Sequence, residues 1–376
     1  MKRIVAILFT TVTLFTASLF GAGKEIVIGC LQDISGPTSS LGKMVEAGAK
    51  WHIDEINAKG GVNGAKIKMI TYDTKADVNE AINALTRAIT SDKVCAIIGP
   101  PIANIVLAIA PISEQYNVPI LHLAVDIRSE IKDDGTTYKN TFGMQPNNLQ
   151  MGAIMGQYAI KNGFKTFGVM YNQSNAYAVS LLEPFTKAVT AAGGTVVKEV
   201  AYTANDKDYK TLLSPLVSAK VDAIYMPNYT QDLILITQQA RGLGYEGALI
   251  AGLDAGPPFN TMLGEDCDKI YYINNVDDTE PKLKDMIKAV KEKAGIDATN
   301  KFFLGYDIAG ILNQVLAETG PDPDKIHDAM LKVKDYDGLT GKITIDPANH
   351  MPTGLEMVMF TYKGTTPVML ERYSAK

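Results

Sequence analysis

The sequence predicts an α/β protein of two lobes, each a doubly wound parallel sheet, joined by a three-crossing hinge with a ligand cleft between the lobes. Two observations lead to this prediction. Short apolar runs alternate with helix-period segments along most of the chain, which is typical of parallel sheets. The 376 residues are 46% hydrophobic and 20% charged, which is ordinary globular composition and enough chain for two cores.

A third observation is an internal similarity between two parts of the chain. The helix and strand at 53–72 resemble the helix and strand at 185–202, and each pair is separated by two consecutive glycines. In both parts a further helix and a short apolar strand follow. Self-similarity on this scale predicts two lobes of the same architecture. Convergence on the common strand–helix–strand pattern is the alternative explanation.

The elements of the first unit follow one another at regular spacing. Strands are predicted at 25–31, 66–72, 94–98 and 119–124, and helices at 44–58, 77–91 and in the segment that ends at Tyr116. The run at 94–98 is continuously apolar, as in a strand that is buried on both faces.

The second unit repeats this alternation and ends differently. Strands are predicted at 166–171, 195–202, 223–226 and 270–274, a strand and loop at 249–256, and helices at 179–192, 208–219, 282–294, 302–318 and 323–333. The tail segments 341–346 and 355–362 are predicted to be antiparallel strands.

The chain is expected to pass between the lobes near 144–148, 276–279 and 338–344. Lobe 1 is therefore predicted to contain 24–145 and 277–340, and lobe 2 to contain 146–276 and 341–376. In folds of this kind ligands bind where the carboxyl ends of the strands meet, which here is the cleft between the lobes.

The N-terminus has the pattern of a secretory signal peptide. Basic residues follow Met1, residues 4–20 are apolar apart from Thr and Ser, and Gly21 and Gly23 supply small residues for cleavage. We predict a signal peptide at 1–23 and a periplasmic mature protein, with a retained membrane anchor as the alternative. A lipid anchor is not indicated because no cysteine follows the small residues.

Charge and composition exclude several classes of function. The net charge is −5 and no basic cluster is present, so nucleic acid is not an expected partner. The four histidines and three cysteines lack the spacing of a zinc site, and no nucleophile-elbow or phosphate-loop motif occurs. We expect no catalytic residue, metal or cofactor, and no obligatory disulfide among Cys30, Cys95 and Cys267.

One strand-to-helix junction is a candidate anion site. The strand at 94–98 ends at Gly99, Pro100 and Pro101, and a helical pattern begins next to Ala103. Free N–H groups and the helix dipole at such a point favour a carboxylate or phosphate. An ordinary junction that binds nothing is the alternative.

Several short motifs occur in order along the chain. They are Ser35-Gly36-Pro37, the segment 57–64 (Asn-Ala-Lys-Gly-Gly-Val-Asn-Gly), Ile98-Gly99-Pro100, Ala110-Pro111 and Val118-Pro119-Ile120. With these motifs the chain resembles the periplasmic substrate-binding proteins of branched-chain amino acid ABC transporters, which have the type I periplasmic binding fold. The resemblance implies a monomer that binds a small molecule and delivers it to an ABC permease in the inner membrane.

In lobe 1 the resemblance implies a carboxylate site after the third and fourth strands. Its first position falls at Ala103, next to Pro101, where the family usually has Ser. Its second segment runs from Ala124 through Asp126 to Arg128, where small residues and a Thr are usual. Arg128 would then replace the missing hydroxyl donors. An exposed surface arginine is an equally weighted alternative.

In lobe 2 the family pattern falls on Tyr177, Tyr229 and Asp254. The resemblance implies that Asp254 pairs with the ligand's α-ammonium, and a turn-forming acid is the alternative. Leu41 matches a residue that touches the ligand side chain. Phe302 or Phe303 is expected to do the same or to be plain core.

The expected function is therefore that of an exported solute receptor of an ABC importer, which closes on a small amino acid, branched-chain or otherwise aliphatic. A binding protein for another carboxylate or an amide is one alternative. A ligand sensor for a signalling partner is another.

Overall fold

The computed structural model of the protein describes residues 25–204, 206–278 and 280–374. The predicted signal peptide at 1–23 lies outside these ranges. Within them, every helix is too short or too polar to cross a bilayer.

Lobe 1 is built on a sheet whose adjacent strands all pair in parallel. In the order β2-β1-β3-β4-β5, its described strands are β1 (Glu25–Gln32), β2 (Lys66–Asp73), β3 (Ile97–Ile98), β4 (Ile120–His122) and β5 (Thr141–Gly143). Side chains alternate between the two faces of β1, so that Ile28 and Cys30 enter one core and Leu31 enters another. A core on each face explains why the central strand β3 is wholly apolar and buried, whereas the edge strand β2 keeps Lys66 and Lys68 exposed.

Lobe 2 contains five further parallel strands in the described ranges. They are β6 (Thr166–Asn172), β7 (Thr195–Tyr202), β8 (Ala223–Tyr225), β9 (Ala248–Ala251) and β10 (Ile270–Asn274). This sheet is also covered on both faces, since Val169 and Met170 of β6 belong to different cores. The predicted α/β architecture of two parallel-sheet lobes is confirmed.

The C-terminal strands are antiparallel and belong to two sheets. A small sheet contains β11 (Tyr336–Gly338), β12 (Gly341–Ile345) and β13 (Pro352–Thr353). The strands β14 (Glu356–Lys363) and β15 (Thr366–Ser374) instead extend the sheet of lobe 2 along β10.

The helices cover the sheets on both faces. In the described part of the chain they are α1 (Ser39–Ala58), α2 (Val78–Thr90), α3 (Ala103–Tyr116), α4 (Asn148–Lys161), α5 (Ala176–Ser180), α6 (Leu182–Ala191), α7 (Lys210–Ser218), α8 (Thr230–Gly242), α9 (Phe259–Leu263), α10 (Pro281–Ala294), α11 (Asn300–Thr319) and α12 (Pro323–Met330). The pair α1 and α11 packs closely because Gly48 and Gly305 have no side chain. A Cβ at Gly48 would overlap the carbonyl oxygen of Phe302.

The last crossing between the lobes differs from the predicted one. The sequence prediction placed it near 338–344 and assigned 341–376 to lobe 2. In the structure Ile343, Ile345 and Leu355 pack in the core of lobe 1 that contains Ile28. The segment 341–355 therefore packs with lobe 1, because β12 pairs with β11 and β13, and the chain joins the second sheet only from β14 onward.

Candidate ligand site between the lobes

An open cleft lies between the lobes at the carboxyl ends of both sheets. Its volume is about 510 Å³, which is within the range of roughly 300–1,000 Å³ that is usual for small-molecule pockets. Loops after β1, β2 and β3 line it from lobe 1, and segments after β6 and β8 line it from lobe 2. The position agrees with the general rule for ligand sites in parallel sheets.

A smaller inner cavity adjoins this cleft. It is lined by Leu41, Pro101, Leu123, Val125, Gln145, Tyr177, Tyr229, Leu253, Asp254 and Lys301. Leu41 and Tyr229 also line the open cleft, so the two spaces share a wall. The structure thus brings together five of the predicted site residues, which are Leu41, Pro101, Tyr177, Tyr229 and Asp254.

Two stacked tyrosines form one wall of the inner cavity. The rings of Tyr177 and Tyr229 have centroids 5.3 Å apart and an interplanar angle of 8°. The side chain of Asn175 accepts a hydrogen bond of 3.0 Å from the backbone N–H of Tyr177 and so fixes the start of α5. Gly252 leaves the room that the tyrosine hydroxyl occupies, since a Cβ there would overlap Tyr177 Oη.

Polar atoms of this wall are buried without partners. Within the described ranges Tyr177 Oη, Tyr229 Oη and Asp254 Oδ1 have no partner in good hydrogen-bond geometry. Tyr177 nevertheless lies close enough to Asp254, and the N–H of Ala103 close enough to Tyr229, to lower the pKa of Asp254 and of Tyr229 against the effect of burial. Buried polar atoms in proteins almost always have a partner, because an unsatisfied one costs about 1–3 kcal/mol. The three oxygens are therefore positioned to receive polar groups of a ligand.

The cavity contains one acid and one base. Burial raises the pKa of Asp254 to about 6, and the positive charge of Lys301 acts in the opposite direction. Burial lowers the pKa of Lys301, and the charge of Asp254 opposes that effect. Burial raises the pKa of Tyr177 and of Tyr229, and Asp254 raises both further. The tyrosines are therefore neutral hydrogen-bonding groups at physiological pH.

The other predicted site residues do not line the cavity. Ala103 is fully buried as the first residue of α3. The backbone N–H of Ala124 donates to Nδ1 of His122 at 3.2 Å. Arg128 is half-exposed and pairs with Asp126, with Nε donating to Oδ1 at 3.0 Å and an Nη2–Oδ2 distance of 2.5 Å. The charges of Asp126 and Arg128 are thus paired with each other and not available to a ligand in this structure.

Lys301 and Gln145 are cavity residues that the sequence reasoning missed. Phe302 and Phe303, the expected contacts from this segment, are fully buried in a separate cluster with Trp51. In the sequence Lys301 precedes two phenylalanines. A lysine next to buried aromatic residues is ordinarily predicted to be exposed to solvent. Lys301 lines the cavity because α11 packs against α1. The residues around Lys301 in the sequence do not predict that packing.

The hinge crossings are joined by amide side chains. Gln145 in the first crossing donates to the carbonyl of Leu123 and accepts a hydrogen bond of 2.8 Å from Asn275 in the second. Asn300, at the start of α11, donates to Oδ1 of Asn274 at 2.8 Å. These contacts connect the first turn of α11 to the hinge.

Direct hydrogen bonds also cross the cleft. Asn104 of α3 donates to the carbonyl oxygen of Ser174 at 3.1 Å and accepts from the N–H of Ala176 at 2.9 Å. One side chain of lobe 1 therefore holds the loop of lobe 2 that precedes Tyr177.

Within the described ranges no group of three or more His, Cys, Asp or Glu side chains is placed to hold a metal ion. Cys30, Cys95 and Cys267 are free and buried, and burial raises the pKa of each thiol.

Comparison with known proteins gives consistent matches over both lobes. A family model described as periplasmic binding protein matches residues 25–365. Leu/Ile/Val-binding protein homolog 7 of Brucella abortus (strain 2308) is 28% identical over 91% of this chain and 85% of its own. Among solved structures, the leucine-binding protein LivK of Thermotoga maritima MSB8 has a TM-score of 0.85 and 29% identity, covering 93% of this chain and 99% of its own. The branched-chain amino acid transporter substrate-binding protein LivJ of Streptococcus pneumoniae, in complex with isoleucine, has a TM-score of 0.83 and 25% identity, covering 92% of this chain and 99% of its own.

Proposed function

The chain belongs to the periplasmic binding protein family, as its motifs indicated, and on that basis we propose that it is an ABC-importer receptor that closes its two lobes around a small aliphatic amino acid. The observation that carries this proposal is the inner cavity, where Leu41 and Pro101 of lobe 1 face Tyr177, Tyr229 and Asp254 of lobe 2. Similarity to proteins named for leucine, isoleucine and valine supports a branched-chain ligand.

Each part of the cavity has a role in this proposal. The Asp254 carboxylate pairs with the α-ammonium of the ligand, since its Oδ1 is buried and without a hydrogen-bond partner in the described ranges. The hydroxyls of Tyr177 and Tyr229 add hydrogen bonds to the polar end of the ligand. The apolar lining residues, Leu41, Pro101, Leu123, Val125 and Leu253, cover an aliphatic side chain.

Ligand entry requires the lobes to separate. The inner cavity has a volume of about 10 Å³, which is about the room that one water molecule needs. An amino acid with several carbon atoms enters only when the hinge opens, and its contacts with both lobes then favour the closed form. The hydrogen bonds of Asn104 to the opposite lobe add to the stability of that closed form.

The proposal extends to location and partners. Residues 1–23 act as a cleaved signal peptide, and the mature protein works in the periplasm as a monomer without catalysis. It delivers the bound amino acid to an ABC permease in the inner membrane.

A thermal-shift series tests the proposed function. Leucine, isoleucine and valine should each raise the melting temperature in a concentration-dependent way, because a ligand that binds the folded state stabilises it. Lysine and aspartate serve as amino acids whose charged side chains do not suit the apolar lining. No shift with any aliphatic amino acid would contradict the proposal.

A further inference from the structure

We propose that Lys301 binds the carboxylate of the ligand, so that the cavity selects molecules with an anionic group facing lobe 1 and a cationic group facing Asp254 of lobe 2. The assignment rests on the proposed function, because it specifies the ligand chemistry of the same cavity. It differs from the carboxylate site implied by the sequence resemblance, which was placed at Ala103 and at 124–128.

The burial of Lys301 is the first argument. The residue lines the inner cavity in the first turn of α11 and is only 5% exposed. Among the described residues its ammonium forms no ion pair, although Nζ is not one of the fully enclosed polar atoms that lack a partner. An ammonium group has three donors, and burying one without a partner is strongly unfavourable. A ligand anion would therefore stabilise the protonated form of Lys301, whose pKa is lowered by burial.

The position of Asp254 is the second argument. Asp254 lines the same cavity, yet the two side chains do not form an ion pair and Asp254 Oδ1 has no hydrogen-bond partner in the described ranges. Both side chains line the same cavity, and each charge opposes the effect of burial on the other's pKa. A zwitterion between them would give each charge a partner of opposite sign.

The third argument is that most other donors of lobe 1 are already used or missing, and that the backbone N–H of Ala103, which remains, lies against the hydroxyl of Tyr229. Ala103 has no hydroxyl group. The N–H of Ala124 donates to His122. The guanidinium of Arg128 is paired with Asp126. Among the described residues that line the cavity, Lys301 is the one with a positive charge.

The helix that carries Lys301 is held firmly in place. Asn300 is hydrogen-bonded to Asn274 of the second crossing at 2.8 Å. The same turn of α11 packs so closely on α1 that a Cβ at Gly48 would overlap the carbonyl oxygen of Phe302. A fixed helix start means that little ordering is required when the ligand binds, which favours affinity and selectivity.

Calorimetric titration of four related probes tests this assignment. The probes are leucine, leucinamide, 4-methylpentanoate and 3-methylbutylamine, which share one carbon skeleton and differ in their charged groups. The unchanged protein should bind leucine more tightly than leucinamide. The substitution Lys301→Met should weaken leucine binding about 10- to 150-fold, the effect expected for a hydrogen bond to a charged group, and should abolish the preference over leucinamide.

Two further variants separate recognition from folding. Lys301→Arg keeps the charge and should keep the preference for leucine over leucinamide, although its absolute affinity can change. Lys288→Met is the matched control, since Lys288 lies on α10 with its side chain 76% exposed. Circular dichroism and melting temperature establish that each variant is folded. A purely structural role of Lys301 would alter stability but would leave the leucine-to-leucinamide ratio unchanged.

The outcomes distinguish this inference from the proposed function. If Lys301→Met keeps the leucine-to-leucinamide ratio of the unchanged protein, the role of Lys301 is wrong while the amino acid receptor stands. If the protein binds 4-methylpentanoate but not leucine, and Lys301→Met abolishes that binding, the role of Lys301 stands and the amino acid ligand is wrong. Equal binding of leucine and leucinamide by the unchanged protein overturns the role of Lys301. Binding of none of the four probes overturns both.

Discussion

Tyr177 and Tyr229 stack almost parallel in lobe 2, with an interplanar angle of 8° and ring centroids 5.3 Å apart. Both hydroxyl oxygens are buried and without a hydrogen-bond partner in the described ranges. The stack gives the cavity a rigid wall, because neither ring can turn without disturbing the other. The wall depends on the residue behind it, Gly252, which leaves space for the hydroxyl of Tyr177.

The substitution Gly252→Ala should displace Tyr177 and weaken ligand binding. The backbone of Gly252 has φ −80°, which alanine adopts without strain. Any effect of the substitution therefore comes from the overlap of the new Cβ with the hydroxyl of Tyr177. Overpacking of this kind costs about 1–3 kcal/mol of stability. Gly242→Ala is the control, because a Cβ at Gly242 meets nothing within 4 Å. Urea unfolding and leucine titration of both variants check the prediction, and equal behaviour of the two would refute it.

The substitution Asp254→Asn should reduce leucine affinity about 10- to 100-fold, since it removes the charge but keeps the shape of the partner proposed for the ammonium. The same change should have little effect on 4-methylpentanoate, which has no ammonium. Glu246→Gln, an exposed acid of lobe 2, is the control. Calorimetric titration gives the affinities. Unchanged leucine binding by Asp254→Asn would exclude the ammonium role.

Leucine affinity should fall as the pH is lowered through about 6, because burial raises the pKa of Asp254 to about 6 and the protonated carboxyl cannot pair with an ammonium. Tyr177 and Tyr229 stay neutral across this window, since their pKa values are raised. Titrations between pH 5 and pH 8 measure the effect, which should be absent in Asp254→Asn. A profile that is the same in both proteins would assign the pH dependence to another group.

The same carboxyl makes an opposite contribution to the stability of the ligand-free protein. A folded-state pKa above the ordinary 3.8 means that the folded form binds the proton more tightly. The contribution of Asp254 to stability is therefore fully present below pH 3.8 and is lost as the pH rises through about 6. The free energies of unfolding of the unchanged protein and of Asp254→Asn, compared between pH 3.8 and about 6, measure this contribution of Asp254. A difference between them that does not vary with pH would contradict the raised pKa.

The substitution Asn104→Ala should destabilise the closed form. It removes two hydrogen bonds between the lobes, to Ser174 and Ala176. At about 0.5–1.5 kcal/mol for each bond, leucine should bind roughly 5- to 150-fold more weakly, mainly through faster dissociation. Stopped-flow release of leucine measures the rate. Asn83→Ala, at an exposed position of α2 in the same lobe, should leave it unchanged. Release as slow as that of the control would show that these bonds do not hold the lobes together.

Elements with a clear local pattern were predictable from the sequence. The strands predicted at 195–202 and 270–274 have the observed bounds, since apolar runs bounded by turn residues need no tertiary information. The helices α4 and α8 were not predicted. In α4, Gly152 and Gly156 weaken the helical signal, but a side chain at either would crowd α6, so packing explains these glycines. The helix predicted at 179–192 is divided at Leu181 into α5 and α6.

Features that depend on long-range pairing were not predictable. The segment 341–355 was assigned to lobe 2 because a crossing was predicted near 338–344. Its packing with lobe 1 follows instead from the pairing of β12 with β11 and β13. Lys301 is the clearest case within the candidate site. Its sequence context is typical of a solvated side chain, and only the placement of α11 against α1 brings it into the cavity.

A crystal structure of the protein grown with saturating leucine is the decisive test of how the cavity holds its ligand. Leucine should lie between the lobes, with its ammonium within hydrogen-bond distance of Asp254, its carboxylate within that distance of Lys301 Nζ, and its side chain against Leu41. A carboxylate bound instead at the start of α3, beside Ala103, would contradict the role of Lys301. Lobes that enclose no leucine at saturating concentration would contradict the proposed receptor function itself.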